Sequence, residues 1–171
     1  YLEFFTREHG MKTVALRYSN VYGPRQNPHG EAGVVAIFCT KMLHGEEATV
    51  NGDGKYIRDY VFVADVVNAN VCALTSETDG FVAYNVGTGL PTDVNEVANS
   101  LRNHCQNELN SRGIERTVPE VGHGPARAGD LRSNLIAYDK IQKELDWSPE
   151  TVVEAGLKQA ARWFAMKLLD N

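Results

Sequence analysis

Thr13-Val14-Ala15-Leu16-Arg17 is a short β-branched, apolar run between Gly10 and a polar turn. Such a run, closed off on both sides by turn residues, predicts a buried strand. Phe81–Val86 (FVAYNV) is a second run of this kind and ends at Gly87-Thr88-Gly89. Strands buried on both faces belong to parallel sheets covered by helices. Two of them are too few for a doubly wound domain, so they read as the last strands of a sheet whose other strands lie upstream.

Working outward, Val34–Leu43 predicts a helix ending at Gly45, and Ala64–Leu74 an apolar helix. Asp93 is placed to cap a third, with Glu96 three residues on and Val94, Val97, Ala98, Leu101 and Cys105 along one face. The last helix is expected to start at Ser148-Pro149, an N-cap followed by proline, with Val153, Leu157, Ala160, Phe164 and Leu168 as its stripe. Tyr22–Gly33, rich in glycine and proline, is expected to be loop. Ala48–Asn51 and Tyr56–Tyr60 read as two strands joined by a tight Gly52-Asp53-Gly54 turn. From Asn107 to Gly129 the chain is polar and glycine-rich around one candidate strand, Thr117–Val121. Helices alternating with strands predict an α/β architecture.

The 171 residues suffice for one domain with a real core. With 43% hydrophobic and 23% charged residues, the composition is that of a soluble globular protein. A net charge of −5 argues against binding nucleic acid, while leaving room for a cationic pocket that takes one small anion. No apolar run approaches the roughly 18–20 residues that cross a bilayer, and no signal peptide is visible. Cys39, Cys72 and Cys105 are widely spaced and read as reduced core thiols, so the cytoplasm is the expected compartment. Tyr1–Phe5 reads as the end of an amphipathic helix, closed by His9-Gly10, and suggests that further sequence belongs before it.

Candidate binding residues are few. Arg58, Arg127 and Arg25 each lie beside glycine or at a strand end, and a guanidinium fork matches phosphate oxygens. Taken singly, each reads better as a solvated surface arginine. Asn20 lies beyond the strand Thr13–Arg17, at the end where open α/β sheets bind ligands, although a turn asparagine fits equally well. Asp130 could accept a ribose hydroxyl, or simply cap a helix or bond Arg127. The histidines lack metal-ligand spacing, and no GxSxG, P-loop, GxGxxG or nucleophile–base pair is present, so neither a metal site nor a catalytic set is expected.

LRYSNVYGPRQ (Leu16–Gln26), NGDGKYIRDYVFVADVV (Asn51–Val67), YNVGTG (Tyr84–Gly89), RAGDLRSN (Arg127–Asn134) and LDWSP (Leu145–Pro149) occur in that order. In this order and spacing the chain resembles the extended short-chain dehydrogenase/reductases, and within them the UDP-glucose 4-epimerases, from Tyr1 to about Phe164. The resemblance implies the C-terminal, substrate-binding part of an extended Rossmann-type α/β fold. It assigns Asn20, Arg58 and Arg127 to the diphosphate region of a UDP-sugar, and Asp130 to the uridine ribose. Thr49, Val50 and Asn51 would flank uracil, Val34 and Val35 would open the helix against the substrate, and Tyr18 and Ser19 would line the nicotinamide end of an NAD site. Arg25 gains less.

The family's glycine-rich dinucleotide loop, catalytic serine and YxxxK pair do not occur in these 171 residues. Without them, hydride storage on NAD and a tyrosinate base are missing, so this chain alone is expected not to turn over. A nucleotide-sugar dehydratase or decarboxylase of the same family, or a non-catalytic nucleotide-sugar-binding module, stays open as an alternative. Strands 13–17 and 81–86 would expose edges and apolar faces, so self-association into a homo-oligomer is also expected.

Overall fold

The computed structural model describes residues 1–29 and 33–170, so residues 30–32 of the expected 22–33 loop lie outside it. Helix α1 (Leu2–His9) is closed by Gly10 in the left-handed conformation, φ 62°. Strand β1 (Thr13–Tyr18) then runs parallel to β6 (Phe81–Val86), with Thr13 opposite Phe81 and Tyr18 opposite Val86. The two sequence runs that predicted a parallel pair do form one. Its burial is less complete than expected: Thr13 alone of β1 is buried, and the strand is exposed at Arg17 and Tyr18.

Strand β2 (Asn20–Tyr22) pairs in parallel with β5 (Tyr60–Phe62). Strand β3 (Thr49–Asn51) pairs in parallel with β8 (Gly122–Gly124). The short strand β4 (Ile57–Arg58) lies between β7 (Thr92–Asp93), antiparallel, and β9 (Ser133–Asn134), parallel. The result is a mixed α/β fold with several small parallel pairings.

Helices α2 (Val34–His44), α4 (Val94–Ser111) and α6 (Val153–Leu169) pack on one another around Val35, Phe38, Met42, Leu101, Leu157 and Phe164. Helix α2 stops at Gly45 and α4 starts with the expected capping box, Asp93 accepting from the Glu96 N–H while Glu96 accepts from that of Asp93. A second core lies under β1 and β6, where Val61, Val66, Ala69, Tyr84, Val86, Ile141 and Trp147 meet. It is closed by α3 (Val63–Thr75) and α5 (Asp139–Leu145), the latter not foreseen from periodicity.

Four local expectations are corrected. The runs around Gly52–Gly54 form no hairpin, because the Gly54 carbonyl accepts from Val94 N–H (3.0 Å) and Asn95 N–H (3.4 Å). Docking on the N-terminus of α4 turns the chain away, and each run finds a partner elsewhere. Tyr22 belongs to β2 and is 2% exposed, rather than opening a loop. Thr117–Val121 is no strand: Val118 N–H donates to the Gln106 side chain (2.8 Å) and Arg102 Nε to the Pro119 carbonyl (3.1 Å), which fastens the segment to α4. Helix α4 itself continues into the expected polar stretch as far as Ser111.

The fourth correction concerns α6, which begins at Val153 rather than at Ser148-Pro149. Buried Asp65 of α3 accepts from Thr151 N–H (3.1 Å) and the Thr151 hydroxyl (3.2 Å), and its carbonyl accepts from the Trp147 indole (3.0 Å). Those bonds hold residues 147–151 across α3 in a non-helical path. A capping signature loses to a buried carboxylate that needs donors.

Candidate functional site

A cavity of about 740 Å³ opens where the C-terminal end of β1 meets β2, β5, β3 and the start of α2. Tyr18, Ser19 and Asn20 form one end; Val34, Val35, Ile37 and Phe38 of α2 form an apolar wall. Thr49, Val50 and Asn51 contribute the edge of β3, and Tyr56, Arg58 and Tyr60 the strand region opposite. Arg127 and Asp130 close it from the segment before β9. Every residue named above for the substrate or the cofactor lines this cavity; Arg25 is not part of its lining and sits in an exposed turn at φ 69°.

Arg58 is held before any ligand arrives. Its Nη1 donates to the carbonyls of Ile57 (2.9 Å) and Leu131 (2.7 Å), and its Nη2 stands 3.8 Å from Asp130 Oδ1. The side chain is only 16% exposed, so its charge acts in a poorly hydrated setting where attraction to an anion is strong. Arg127 is exposed, and its guanidinium meets no ion-pair partner among the described residues. Two guanidiniums on one cavity concentrate positive charge there in a chain whose net charge is −5.

Asn20 lies at the start of β2, its N–H donating to the Asp59 carbonyl (2.9 Å), and its side-chain amide makes no hydrogen bond among the described residues. Apolar Val34, Val35, Ile37 and Phe38 on one side and polar Asn20, Arg58, Arg127 and Asp130 on the other suit a ligand with a flat organic group joined to an anionic one. Tyr60 is buried and desolvation pushes its phenol up to about 12, so it stays a neutral donor.

Residues 1–87 match the NAD dependent epimerase/dehydratase family. The chain belongs to that family. It is 36% identical to a putative UDP-glucose 4-epimerase of Methanocaldococcus jannaschii over 95% of this chain and 49% of that relative. It superimposes with a TM-score of 0.84 on the crystal structure of UDP-glucose 4-epimerase with UDP-glucose from Thermotoga maritima, at 46% identity, covering 98% of this chain and 50% of that one. Against the Thermus thermophilus UDP-glucose 4-epimerase complex with NAD the TM-score is 0.78 at 38% identity, covering 96% and 50%. The chain therefore spans about half the length of the relatives it matches.

At the end of the cavity formed by Tyr18 and Ser19, both side-chain hydroxyls already have partners. The Tyr18 hydroxyl donates to Asn70 Oδ1 (2.9 Å) and the Ser19 hydroxyl to the Asp59 carbonyl (2.6 Å). Both hydroxyls are thus engaged within the chain, while the Tyr18 ring is half exposed. No group of three or more potential metal ligands occurs among the described residues, and no described helix is long and apolar enough to cross a membrane.

Sequence reasoning missed several residues that shape the site. Gln26 lines the cavity, its amide donating to the Val21 carbonyl (2.8 Å) while its buried Oε1 has no partner among the described residues. Arg132 grips Asp53 beside Tyr56, and Asp59 lies fully buried behind Arg58. The signal for Asp59 was available: a carboxylate inside the apolar run IRDYVFV must be buried and must find donors.

Proposed function

We propose that this chain is the nucleotide-sugar-binding, C-terminal part of an NAD-dependent epimerase, a single domain whose cavity takes the UDP portion of UDP-glucose or UDP-galactose. The observation that supports it most is the meeting of Asn20, Arg58, Arg127 and Asp130, distant in sequence, on one cavity with an apolar wall. Arg58 and Arg127 bind the diphosphate, with Asn20 donating its free amide to the same group. Asp130, oriented by Arg58, accepts from the ribose hydroxyls, and Val34, Val35 and the edge of Thr49–Asn51 flank the uracil.

NAD, when bound in the longer protein, supplies the hydride acceptor; Tyr18 and Ser19 border the nicotinamide end. These 171 residues offer no glycine-rich phosphate loop, and the Tyr18 and Ser19 hydroxyls are engaged within the chain, so we assign cofactor binding to the family fold as a whole and derive no hydride step from this chain. Isothermal titration of the 171-residue chain with UDP and UDP-glucose tests the reading. Binding with release of heat, lost when Arg58 and Arg127 are both alanine, is expected. No conversion of UDP-glucose to UDP-galactose is expected when NAD is added to the chain alone. Absence of UDP binding, or turnover by the isolated chain, would overturn the corresponding half of the proposal.

A further inference from the structure

Asn20 and Arg58 belong to different sheets. Asn20 opens β2, which pairs with β5, while Arg58 closes β4, which pairs with β7 and β9. A single residue, Asp59, joins β4 to β5. Its backbone reaches both sides: its N–H donates to the Asn134 carbonyl (3.2 Å), continuing the β4–β9 ladder, and its carbonyl accepts from Asn20 N–H (2.9 Å) and the Ser19 hydroxyl (2.6 Å).

The side chain of Asp59 is 0% exposed and does not line the cavity, whereas its neighbours Arg58 and Tyr60 do, as strand alternation requires. Oδ1 accepts from the Thr88 N–H (2.8 Å) and hydroxyl (2.7 Å), and Oδ2 accepts from the Gly89 N–H (3.0 Å). No arginine, lysine or histidine pairs with it among the described residues. Gly87 lets the turn come this close, since a Cβ there would stand 2.5 Å from Asp59 Oδ2. A carboxylate buried without a cation is costly, and an apolar residue would fill the same space at less cost. What an apolar residue cannot do is fasten the junction of two sheets to the Thr88–Gly89 turn in one orientation.

We infer that Asp59 is a positioning residue for the anion-binding cavity: it sets the spacing of Asn20 and Arg58 without touching the ligand. The inference rests on the reading of the cavity as a nucleoside diphosphate site. Asp59→Asn keeps the shape but turns an amide group toward N–H donors, and Thr88→Val removes one of the donors while leaving the carboxylate. UDP affinity by titration calorimetry, read beside thermal melting, is the measurement. Asp59→Asn is expected to lower affinity about tenfold and Thr88→Val by a smaller factor, with Thr88→Ser close to the unsubstituted chain.

In a double-mutant cycle, Asn20→Ala with Asp59→Asn is expected to bind little worse than Asn20→Ala alone, whereas a merely structural role gives additive losses. Should Asp59→Asn not fold, the Thr88→Val and Thr88→Ser pair decides. Folded variants that bind UDP like the unsubstituted chain overturn this inference and leave the cavity reading intact. Failure of the unsubstituted chain to bind UDP overturns both.

Discussion

Arg132 donates two parallel hydrogen bonds to Asp53, Nη1 to Oδ1 at 2.8 Å and Nη2 to Oδ2 at 2.7 Å. The same guanidinium lies 4.9 Å from the centre of the Tyr56 ring, and that of Arg58 lies 5.8 Å from it. The Gly52–Gly54 turn is thereby clipped to the segment that carries Arg127 and Asp130, and Arg132 lies against Tyr56, which lines the cavity. Both partners are about half exposed, so the pair serves geometry more than stability.

The clip gives an acid-pH prediction. Arg132, by hydrogen bonding first and charge second, with the Lys55 N–H between them, lowers the Asp53 carboxyl from 3.8 to about 2. A carboxyl whose folded value lies below its unfolded one stabilises the fold above the unfolded value and stops doing so as pH falls through the folded one. Its contribution is thus complete above pH 3.8 and lost toward pH 2. NMR titration of the Asp53 carboxyl carbon should show a midpoint near 2, rising in Arg132→Gln but staying below the ordinary 3.8, because the Lys55 N–H still donates to Asp53. An unchanged midpoint in that variant would exclude the clip in solution.

For the cavity, Arg58→Ala and Arg127→Ala should each weaken UDP binding by about 1.5–3 kcal/mol, roughly ten- to hundredfold. Arg58 is the more buried and is fixed by two carbonyls, so its loss should depend less on salt than that of exposed Arg127. Calorimetry at two ionic strengths separates the two, and equal salt slopes would contradict the difference drawn between them.

Stability of the second core should depend on Asp65. Replacing it with alanine leaves the Thr151 N–H without its partner near a buried indole, a loss of about 1–3 kcal/mol. Urea unfolding followed by tryptophan fluorescence reads it, because Trp147 is 1% exposed and bonded to the Asp65 carbonyl. A midpoint that does not move would show that the 147–151 crossing is held by packing and the Trp147 bond to the Asp65 carbonyl, without the carboxylate.

Self-association should be visible by sedimentation. Among the described residues β1 has β6 as its one strand neighbour, and Phe4 and Phe5 of α1 are 48% and 42% exposed while Leu74 of α3 is 85% exposed. Apolar faces and a free strand edge of this kind favour association. Sedimentation velocity at micromolar concentration is expected to show species heavier than the 18.9 kDa chain, shifted back by Phe4→Ser with Phe5→Ser. A monomer throughout would overturn the expectation.

The parallel pair β1–β6, helices α2, α3 and α4 and the capping box at Asp93 were legible in sequence, because each rests on local periodicity and nearby turn residues. The family and the candidates Asn20, Arg58, Arg127 and Asp130 were legible too, from blocks of residues in a fixed order. Local rules failed where distant polar groups competed for the backbone. The amide groups of Val94 and Asn95 took the Gly54 carbonyl and undid a hairpin, and Asp65 took the Thr151 N–H and delayed a helix.

The amino-acid order alone thus determined the β1–β6 pair, most helices and the candidate residues at Asn20, Arg58, Arg127 and Asp130. Only the tertiary structure decided that those residues share one cavity. It also decided which way Arg58 points, and that Asp59 stands at the junction of two sheets. The physical reason is range: strand and helix signals are carried by neighbours in the chain, whereas a buried carboxylate or guanidinium is oriented by donors and carbonyls dozens of residues away.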